Sequence, residues 1–321
     1  MISTARRGTA RLVSQALGSH AVATVARIAN NGRLPVLAYH DVTEPTLFGA
    51  HLDFVHERYR PVSGSEVAAA IHDGARLPRR AIWLTFDDAL PGVFTHALPL
   101  LAERKVPGTA FVCPGLVDTD QPYWWQTLES ALAAQRTVVF RGKTWSDSSV
   151  ITQLKIVPDA ERRETVARVA DDLAASGHAV AFAQATSTDL RRWLDAGLEL
   201  GNHTWDHPCL DACDVVQQRR QIVAADDYLR SLLDRPPRLF AYPNGNTAKA
   251  SRHILSELGY QVAALFDHRL SRLGGAEVSR LRIDADASIR RLAAITSGAH
   301  PAAYGMARRV GGARSAVGAS T

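Results

Sequence analysis

Two short stretches of this chain carry side chains whose types and spacing are suited to holding a metal ion beside a water molecule. Asp87 and Asp88 are adjacent carboxylates directly after an apolar run, and His203 and His207 lie four residues apart. Residues four apart share one face of a helical turn, so both imidazoles can reach one ion. Two imidazoles and one carboxylate leave a coordination position open for water, which is the pattern of catalytic rather than structural zinc.

The two adjacent carboxylates are expected to have different roles. Neighbours on a strand point to opposite faces, and side by side they repel unless a cation or a proton compensates. If Asp88 is the third ligand of the ion, Asp87 beside the bound water could serve as its general base. Two alternatives stay open: Asp88 could cap a helix in a solvated turn, and Asp206 competes with it as the third ligand. A lone His-x-x-x-His pair is also often structural.

The elements that must position these residues alternate between strands and helices. Seven short apolar runs, mostly separated by helical patterns, predict a parallel sheet or barrel of the α/β class. The carboxyl ends of its strands would share one mouth, where such proteins bind ligands. The predicted strands are 34–41, 81–86, 107–113, 198–202, 238–242, 261–266 and 279–283.

The pattern also predicts how the chain is divided. Residues 1–33 form a basic segment, predicted as an amphipathic helix that packs on the domain or rests on an anionic membrane surface. Residues 34–300 form the main domain, which residues 118–185 interrupt as a helical insertion, and residues 301–321 are predicted to be disordered. With no clear signal-peptide pattern, a cytoplasmic location is expected, with peripheral contact at the inner membrane as a variant.

The composition of the chain argues against several classes of protein. The chain has 321 residues, 46% of them hydrophobic and 21% charged, as in an ordinary globular protein. Its net charge of +5 comes largely from arginines near the two ends, so no nucleic-acid surface is indicated. Three cysteines make no disulfide framework, and Cys209 and Cys213 lack the second pair that a zinc knuckle needs.

The two motifs resemble those of a known family. Residues 85–88 (Thr-Phe-Asp-Asp) and 203–207 (His-Thr-Trp-Asp-His) are similar to the first two motifs of the polysaccharide deacetylases, the NodB-homology or carbohydrate esterase family 4 enzymes. The resemblance covers roughly residues 34–300 and implies a distorted (β/α)7 barrel. It also implies Asp87 as the catalytic base, and Asp88, His203 and His207 as ligands of zinc or another divalent ion such as Co, Ni or Mn.

The resemblance further implies a substrate and its contacts. The expected reaction is removal of acetyl groups from N-acetylated sugars of a polysaccharide or a lipid-linked precursor. Residues 240–245 (Phe-Ala-Tyr-Pro-Asn-Gly) resemble the third motif. That match suggests the backbone N–H of Asn244 as an oxyanion donor and Tyr242 as a substrate contact. Trp124 and Trp125 could stack on a sugar ring or belong to the core.

Two departures from the family pattern matter. Ala241 stands where the third motif often has an arginine that positions the base, and the usual late Leu-x-His motif, which supplies the general acid, is absent. Residues 39–42 (Tyr-His-Asp-Val) match a branch that takes its acid from the first strand, so His40 is the candidate acid. Two alternatives stay open. His40 could be a histidine that only makes local hydrogen bonds, or His300 could be the acid instead. Asp41, Asp267 and Asp284 are each a possible carboxylate partner of His40.

Two other functions fit the same motifs. An O-acetyl esterase would use the same groups, and an inactive carbohydrate-binding homologue would keep the barrel alone. The missing arginine is the best argument for the inactive homologue, whereas the intact Asp87, Asp88, His203 and His207 argue against it.

Overall fold

The structure is a computed structural model that describes residues 19–178 and 181–301. Helix α1, His20–Ala29, lies within the predicted basic segment. Residues 1–18 of that segment, and all of the predicted tail after Pro301, lie outside the described residues. Within the described ranges, no helix is long and apolar enough to cross a membrane.

The centre of the fold is a parallel sheet of nine strands in the order β10-β9-β8-β7-β4-β3-β1-β11, with β2 paired to β3. All seven predicted strands are present, and β2 and β10 are additional. The strands of this sheet are β1 Val36–Tyr39, β2 Arg60–Val62, β3 Ala81–Phe86, β4 Thr109–Val112, β7 Glu199–Asn202, β8 Leu239–Ala241, β9 Val262–Ala264, β10 Glu277–Val278 and β11 Leu281–Arg282.

One segment near the end of the domain closes this sheet into a barrel. Strand β10 pairs with β9 at one edge, and β11 pairs with β1 at the other. Only Ser279 and Arg280 separate β10 from β11, so residues 277–282 bridge both edges. This confirms the predicted distorted (β/α)7 barrel. Strands β1 and β3 are buried along their whole length, as expected for parallel strands that are covered on both faces.

Helices surround the barrel, and some of them begin with a side-chain cap. Thr186 accepts a hydrogen bond from the backbone of Asp189, and Asp214 accepts one from Gln217, which satisfies backbone N–H groups at these helix starts. The helices are α2 Pro45–Arg58, α3 Gly64–His72, α4 Leu98–Arg104 after a π-helical turn Val93–Ala97, α5 Trp124–Ala133, α6 Ser149–Leu154, α7 Asp159–Ala175, α8 Ser187–Asp195, α9 Val215–Leu233, α10 Lys249–Glu257 and α11 Ile289–Thr296.

Between β4 and β7 the chain forms a separate layer with its own apolar cluster. It contains α5, α6, α7 and the antiparallel hairpin β5 Val138–Phe140 and β6 Lys143–Trp145. Arg141 and Gly142 turn this hairpin with φ values of 49° and 70°, as a type I′ turn requires. Leu128, Val150 and Leu154 belong to a cluster that does not include the strands of the main sheet. This layer lies over the mouth of the barrel and supplies part of the cavity described below.

Candidate metal centre and active site

The structure brings Asp88, His203 and His207 together at the carboxyl ends of the strands. All three are buried, and their candidate ligand atoms lie within 4.8 Å of one another. The Nε2 atoms of both histidines are 3.4 Å from Asp88 Oδ1. Ligand atoms around a tetrahedral ion with bonds of the usual length for zinc would be separated by about 3.3 Å. The two distances from the histidines to Asp88 therefore match the spacing expected between ligands of one ion.

Hydrogen bonding also fits a divalent ion at this position. His203 Nδ1 donates to the Ala241 carbonyl over 2.8 Å, which fixes the ring with Nε2 toward Asp88. Within the described residues, the buried Asp88 Oδ1 has no hydrogen-bond partner. A buried carboxylate oxygen without a partner is costly unless a cation satisfies it. The donor set and its orientation therefore fit a metal ion.

The charge states of these groups suit metal binding. Burial favours the neutral form of His207 and lowers its pKa to about 3, although Asp88 opposes this effect. A neutral imidazole keeps the lone pair that a ligand needs. Burial alone would raise the pKa of Asp88, but the two histidines outweigh it and the pKa is lowered. Asp88 is therefore a carboxylate and His207 a neutral ring.

The backbone that carries the site is held in an uncommon conformation. Five non-glycine residues at the site have a positive φ: Asp88 (66°), Ala89 (52°), Thr204 (70°), His207 (61°) and Asn244 (56°). Such strain persists only where the surroundings fix it, and it gathers at functional sites. Tyr123 donates to the Asp88 carbonyl over 2.5 Å, and Asn202 Oδ1 accepts from the Thr204 N–H over 2.7 Å. These bonds hold the ligand loops in place.

Asp206, the competing third ligand, is directed elsewhere. Both of its carboxylate oxygens accept hydrogen bonds from Arg163 of α7, over 2.9 and 2.7 Å. Gln221 donates to the same carboxylate over 2.9 Å. The geometry therefore favours Asp88 over Asp206, and the Arg163 pair ties the layer between β4 and β7 to the loop that carries both histidines.

Asp87 is held by an arginine that sequence reasoning missed. Arg280, between β10 and β11, donates two parallel hydrogen bonds to its carboxylate, over 2.6 and 2.8 Å. Arg280 itself is fully buried and also donates to the Leu265 carbonyl and to Thr85 Oγ1. The arginine that is absent at Ala241 is thus supplied from the strand that closes the barrel. A bidentate pair of this kind fixes the plane of the carboxylate.

This pair keeps Asp87 ionised in a buried position. Burial by itself would raise the pKa of Asp87, but the charges of Arg280 and His203 outweigh it and lower the pKa. An ionised carboxylate next to the three candidate ligands can accept a proton from a water bound there. The environment of Asp87 therefore agrees with its predicted role.

The site opens into a cavity of about 310 Å³, at the small end of the range for ligand pockets. The layer between β4 and β7 provides Trp125, Glu129, Ile151 and Lys155. Of these four residues, only Trp125 was predicted from its sequence motif. The remaining lining residues are His40, Asp87, Asp88, Leu90, His203, His207, Asn244, Phe266 and Arg282.

His40 lies in this cavity, with its ring edge-to-face against Phe266 at 5.5 Å. The three carboxylates expected as its partners are engaged elsewhere. Asp41 accepts from the Val42 N–H, Asp267 accepts from Ser279, and Asp284 pairs with Arg282. His300 lines a separate, smaller cavity with His268 and Arg291. Of the two candidate acids, His40 is thus the one in the site, and its role remains a prediction.

The predicted substrate contacts separate into two groups. Asn244 and Trp125 line the cavity, and the Trp125 ring lies 4.6 Å from the His207 ring. Trp124, its neighbour on α5, instead packs against the apolar cluster of the separate layer. Tyr242 is buried beside Phe240 and does not reach the cavity. The structure therefore brings only Trp125 and Asn244 to a position where they could meet a substrate.

The fold and the site together define a parallel α/β barrel with a candidate hydrolytic metal centre at its mouth, and comparison with known proteins places it in a family. The model of the family described as "Polysaccharide deacetylase" matches residues 74–263, more than half of the chain. The chain belongs to this family, the NodB-homology or carbohydrate esterase family 4 proteins, whose description denotes hydrolases that remove acetyl groups from polysaccharides.

Among individual relatives, the poly-beta-1,6-N-acetyl-D-glucosamine N-deacetylase of Escherichia coli (strain K12) is 24% identical over 206 residues, which are 64% of this chain. The chain spans only 28% of the length of that relative. Among solved structures, the Streptococcus pyogenes deacetylase PplD has a TM-score of 0.57 at 19% identity, covering 81% of this chain and 96% of that one. IcaB from Ammonifex degensii has a TM-score of 0.57 at 20% identity, covering 83% and 97%. These two structures support the fold.

Proposed function

We propose that this protein is a metal-dependent deacetylase that removes acetyl groups from N-acetylated sugars of a polysaccharide or of a glycan precursor. One observation carries the proposal: the Asp88–His203–His207 cluster shares a cavity with a second carboxylate, Asp87, that an arginine holds ionised. Family membership and the name of the Escherichia coli relative support the choice of an N-acetylated glycan.

The candidate site residues have the following parts in the proposed reaction. A divalent ion at Asp88, His203 and His207 would polarise the acetyl carbonyl and lower the pKa of a bound water. Asp87 accepts the proton of the water whose oxygen attacks the acetyl carbon, while Arg280 holds its carboxylate in one orientation. The backbone N–H of Asn244 donates to the carbonyl oxygen as negative charge develops there. His40 protonates the sugar nitrogen as its bond to carbon breaks, which leaves acetate and a free amine.

The inactive carbohydrate-binding homologue loses its main support. Its best argument was the missing arginine, and Arg280 now occupies the corresponding position on Asp87. A protein that only bound sugars would have no use for a buried, arginine-paired carboxylate next to a candidate ion site. The O-acetyl esterase remains as a second activity, because an ester needs the same base and oxyanion donor and less help at the leaving group.

Acetate release tests the proposal. Purified protein supplied with zinc or cobalt is expected to release acetate from N-acetylglucosamine oligomers, and to stop when a chelator removes the ion. A panel of O-acetylated sugars measured in parallel separates amidase from esterase. Release from the esters alone would favour the esterase, and no release from any member of the panel would contradict an enzyme.

The assignment of His40 is tested by the ratio of two activities. His40→Ala should lower the hydrolysis of N-acetyl sugars by about 100-fold, at the lower end of the usual effect of a general acid. Aryl acetates should be slowed by less than about tenfold, because a phenolate leaves without a proton. His253→Ala changes an exposed histidine on α10 that pairs with Glu257, and serves as the control. An unchanged ratio in His40→Ala, together with a changed ratio in His300→Ala, would reassign the acid.

A further inference from the structure

A second cavity, of about 270 Å³, lies at the end of the barrel opposite the active site. We call it the basal cavity, and four of its lining residues are Arg27, Arg33, Arg79 and Arg80. It also reaches Leu34 and Pro35, which precede β1, and Ala81, the first residue of β3. Because Asp87 and Asp88 follow the last residue of β3, the two cavities are separated by about the length of a six-residue strand, roughly 20 Å.

The basal cavity has a strong excess of positive charge. No aspartate or glutamate lines it, and within residues 19–178 and 181–301 none of its four arginines forms an ion pair. Like charges gathered without a counter-charge attract anions. The planar guanidinium group matches phosphate especially well, because it can donate two parallel hydrogen bonds. The chemistry of this cavity is that of a phosphate site.

Helix α1 adds an apolar face to the same region. Val22, Val25 and Ile28 are 40%, 68% and 70% exposed, and their spacing of three places them along one side of the helix. The same helix supplies Arg27 to the basal cavity. A helix that carries an apolar face and a basic flank is suited to lie in the headgroup region of a bilayer.

We propose that this basal surface, made of the basal cavity and the apolar face of α1, docks on a bilayer that contains anionic phospholipid. A lipid phosphate binds among the four arginines while Val22, Val25 and Ile28 enter the headgroup region. A free phosphate would satisfy the arginines but leave the apolar face in water, whereas an anionic lipid surface complements both features. In this orientation the active-site cavity faces away from the bilayer.

Vesicle binding by the full chain tests this proposal. Vesicles of equal parts phosphatidylglycerol and phosphatidylcholine should bind the protein, and vesicles of phosphatidylcholine alone should not. Arg79→Gln combined with Arg80→Gln should weaken binding about 30-fold, at about fivefold for each basic residue near an anionic surface. Binding should also weaken as salt is raised. The matched control combines Arg220→Gln with Arg235→Gln, exposed arginines outside the basal cavity, and should bind as the wild type does.

The apolar face has its own pair of variants. Val25→Ser with Ile28→Ser should weaken vesicle binding while the melting temperature is kept, and Val215→Ser with Val216→Ser on α9, also exposed, should change neither. Lower melting temperature with unchanged vesicle binding would mean that the chain itself covers this face, and would overturn the proposal. Equal vesicle binding by the Arg79/Arg80 variant and its Arg220/Arg235 control would also overturn the proposal. The same holds if inorganic phosphate raised the melting temperature while the protein bound no vesicles. Acetate release from a soluble substrate should be unchanged in every variant, so this proposal can fail without the proposed function failing.

Discussion

Asp87→Asn is expected to lower acetate release by about 10²–10⁴-fold, the range in which removal of a general base falls. Asparagine has almost the same size and can keep one hydrogen bond to Arg280, so the barrel should remain closed. Its amide cannot accept the proton of the attacking water, however. The measurement is kcat/KM on an N-acetylglucosamine oligomer, together with the metal content of each preparation.

The control for this variant is Asp195→Asn, which removes the same charge from an exposed residue at the end of α8. It should keep both activity and metal content. If Asp87→Asn retained the wild-type rate, Asp87 would not be the base. If it lost the ion as well, the variant would report on ion binding and not on proton transfer, and our separation of the roles of Asp87 and Asp88 would be wrong.

His203→Ala is expected to remove the ion. Two remaining ligands, Asp88 and His207, compete poorly with water, and loss of a direct ligand should weaken the affinity by more than the 10–100-fold that loss of a supporting hydrogen bond costs. Elemental analysis after dialysis should therefore find about one divalent ion per wild-type chain and far less in the variant. Acetate release should fall with the metal content.

A surface histidine provides the comparison for this experiment. His72→Ala removes an imidazole at the end of α3, where Nε2 contacts the Gln261 carbonyl over 2.7 Å, and it should leave metal content unchanged. Full occupancy in His203→Ala would show that the ligand set is wrong. Asp206 would then be the next candidate to test, although Arg163 holds it away from the histidines.

Most of the barrel could be predicted because its strands are short, mostly apolar and bounded by turn residues. These features are local. Asp87, Asp88, His203 and His207 could also be placed, since each follows such a strand and parallel strands end at one mouth. Strand β2 was not predicted, because Pro61 and the residues around it have the composition of a turn.

Arg280 could not be found in the same way, since it lies 193 residues from Asp87 and meets it only when the barrel closes. A signal was nevertheless present in the alternation of its strand. Leu281 and Ile283 belong to the main core, so Arg280 and Arg282 must face the other side. In a closed barrel that side is the interior, and Arg280, which is buried there, requires a buried carboxylate. Arg282 lies at the mouth, where it lines the cavity.

The two adjacent tryptophans illustrate another limit. Trp124 and Trp125 differ by about 100° around helix α5, so only one of them can face the cavity. Which one does so depends on how the layer between β4 and β7 docks on the barrel. That docking includes the Arg163–Asp206 pair, whose partners are far apart in sequence. Tyr242 is a similar case, because a motif places it next to the site while its side chain points into the core.

The place of Arg280 in the chain also bears on the order in which the protein is synthesised. The three candidate metal ligands and the candidate base precede residue 208, whereas the arginine that orients Asp87 belongs to residues 277–282, which are made last in the barrel. A nascent chain would therefore carry all of its ligands before it could carry an oriented base. Completion of the barrel and orientation of the candidate base therefore occur together, so a chain made only as far as β9 cannot hold Asp87 in the orientation that Arg280 gives it.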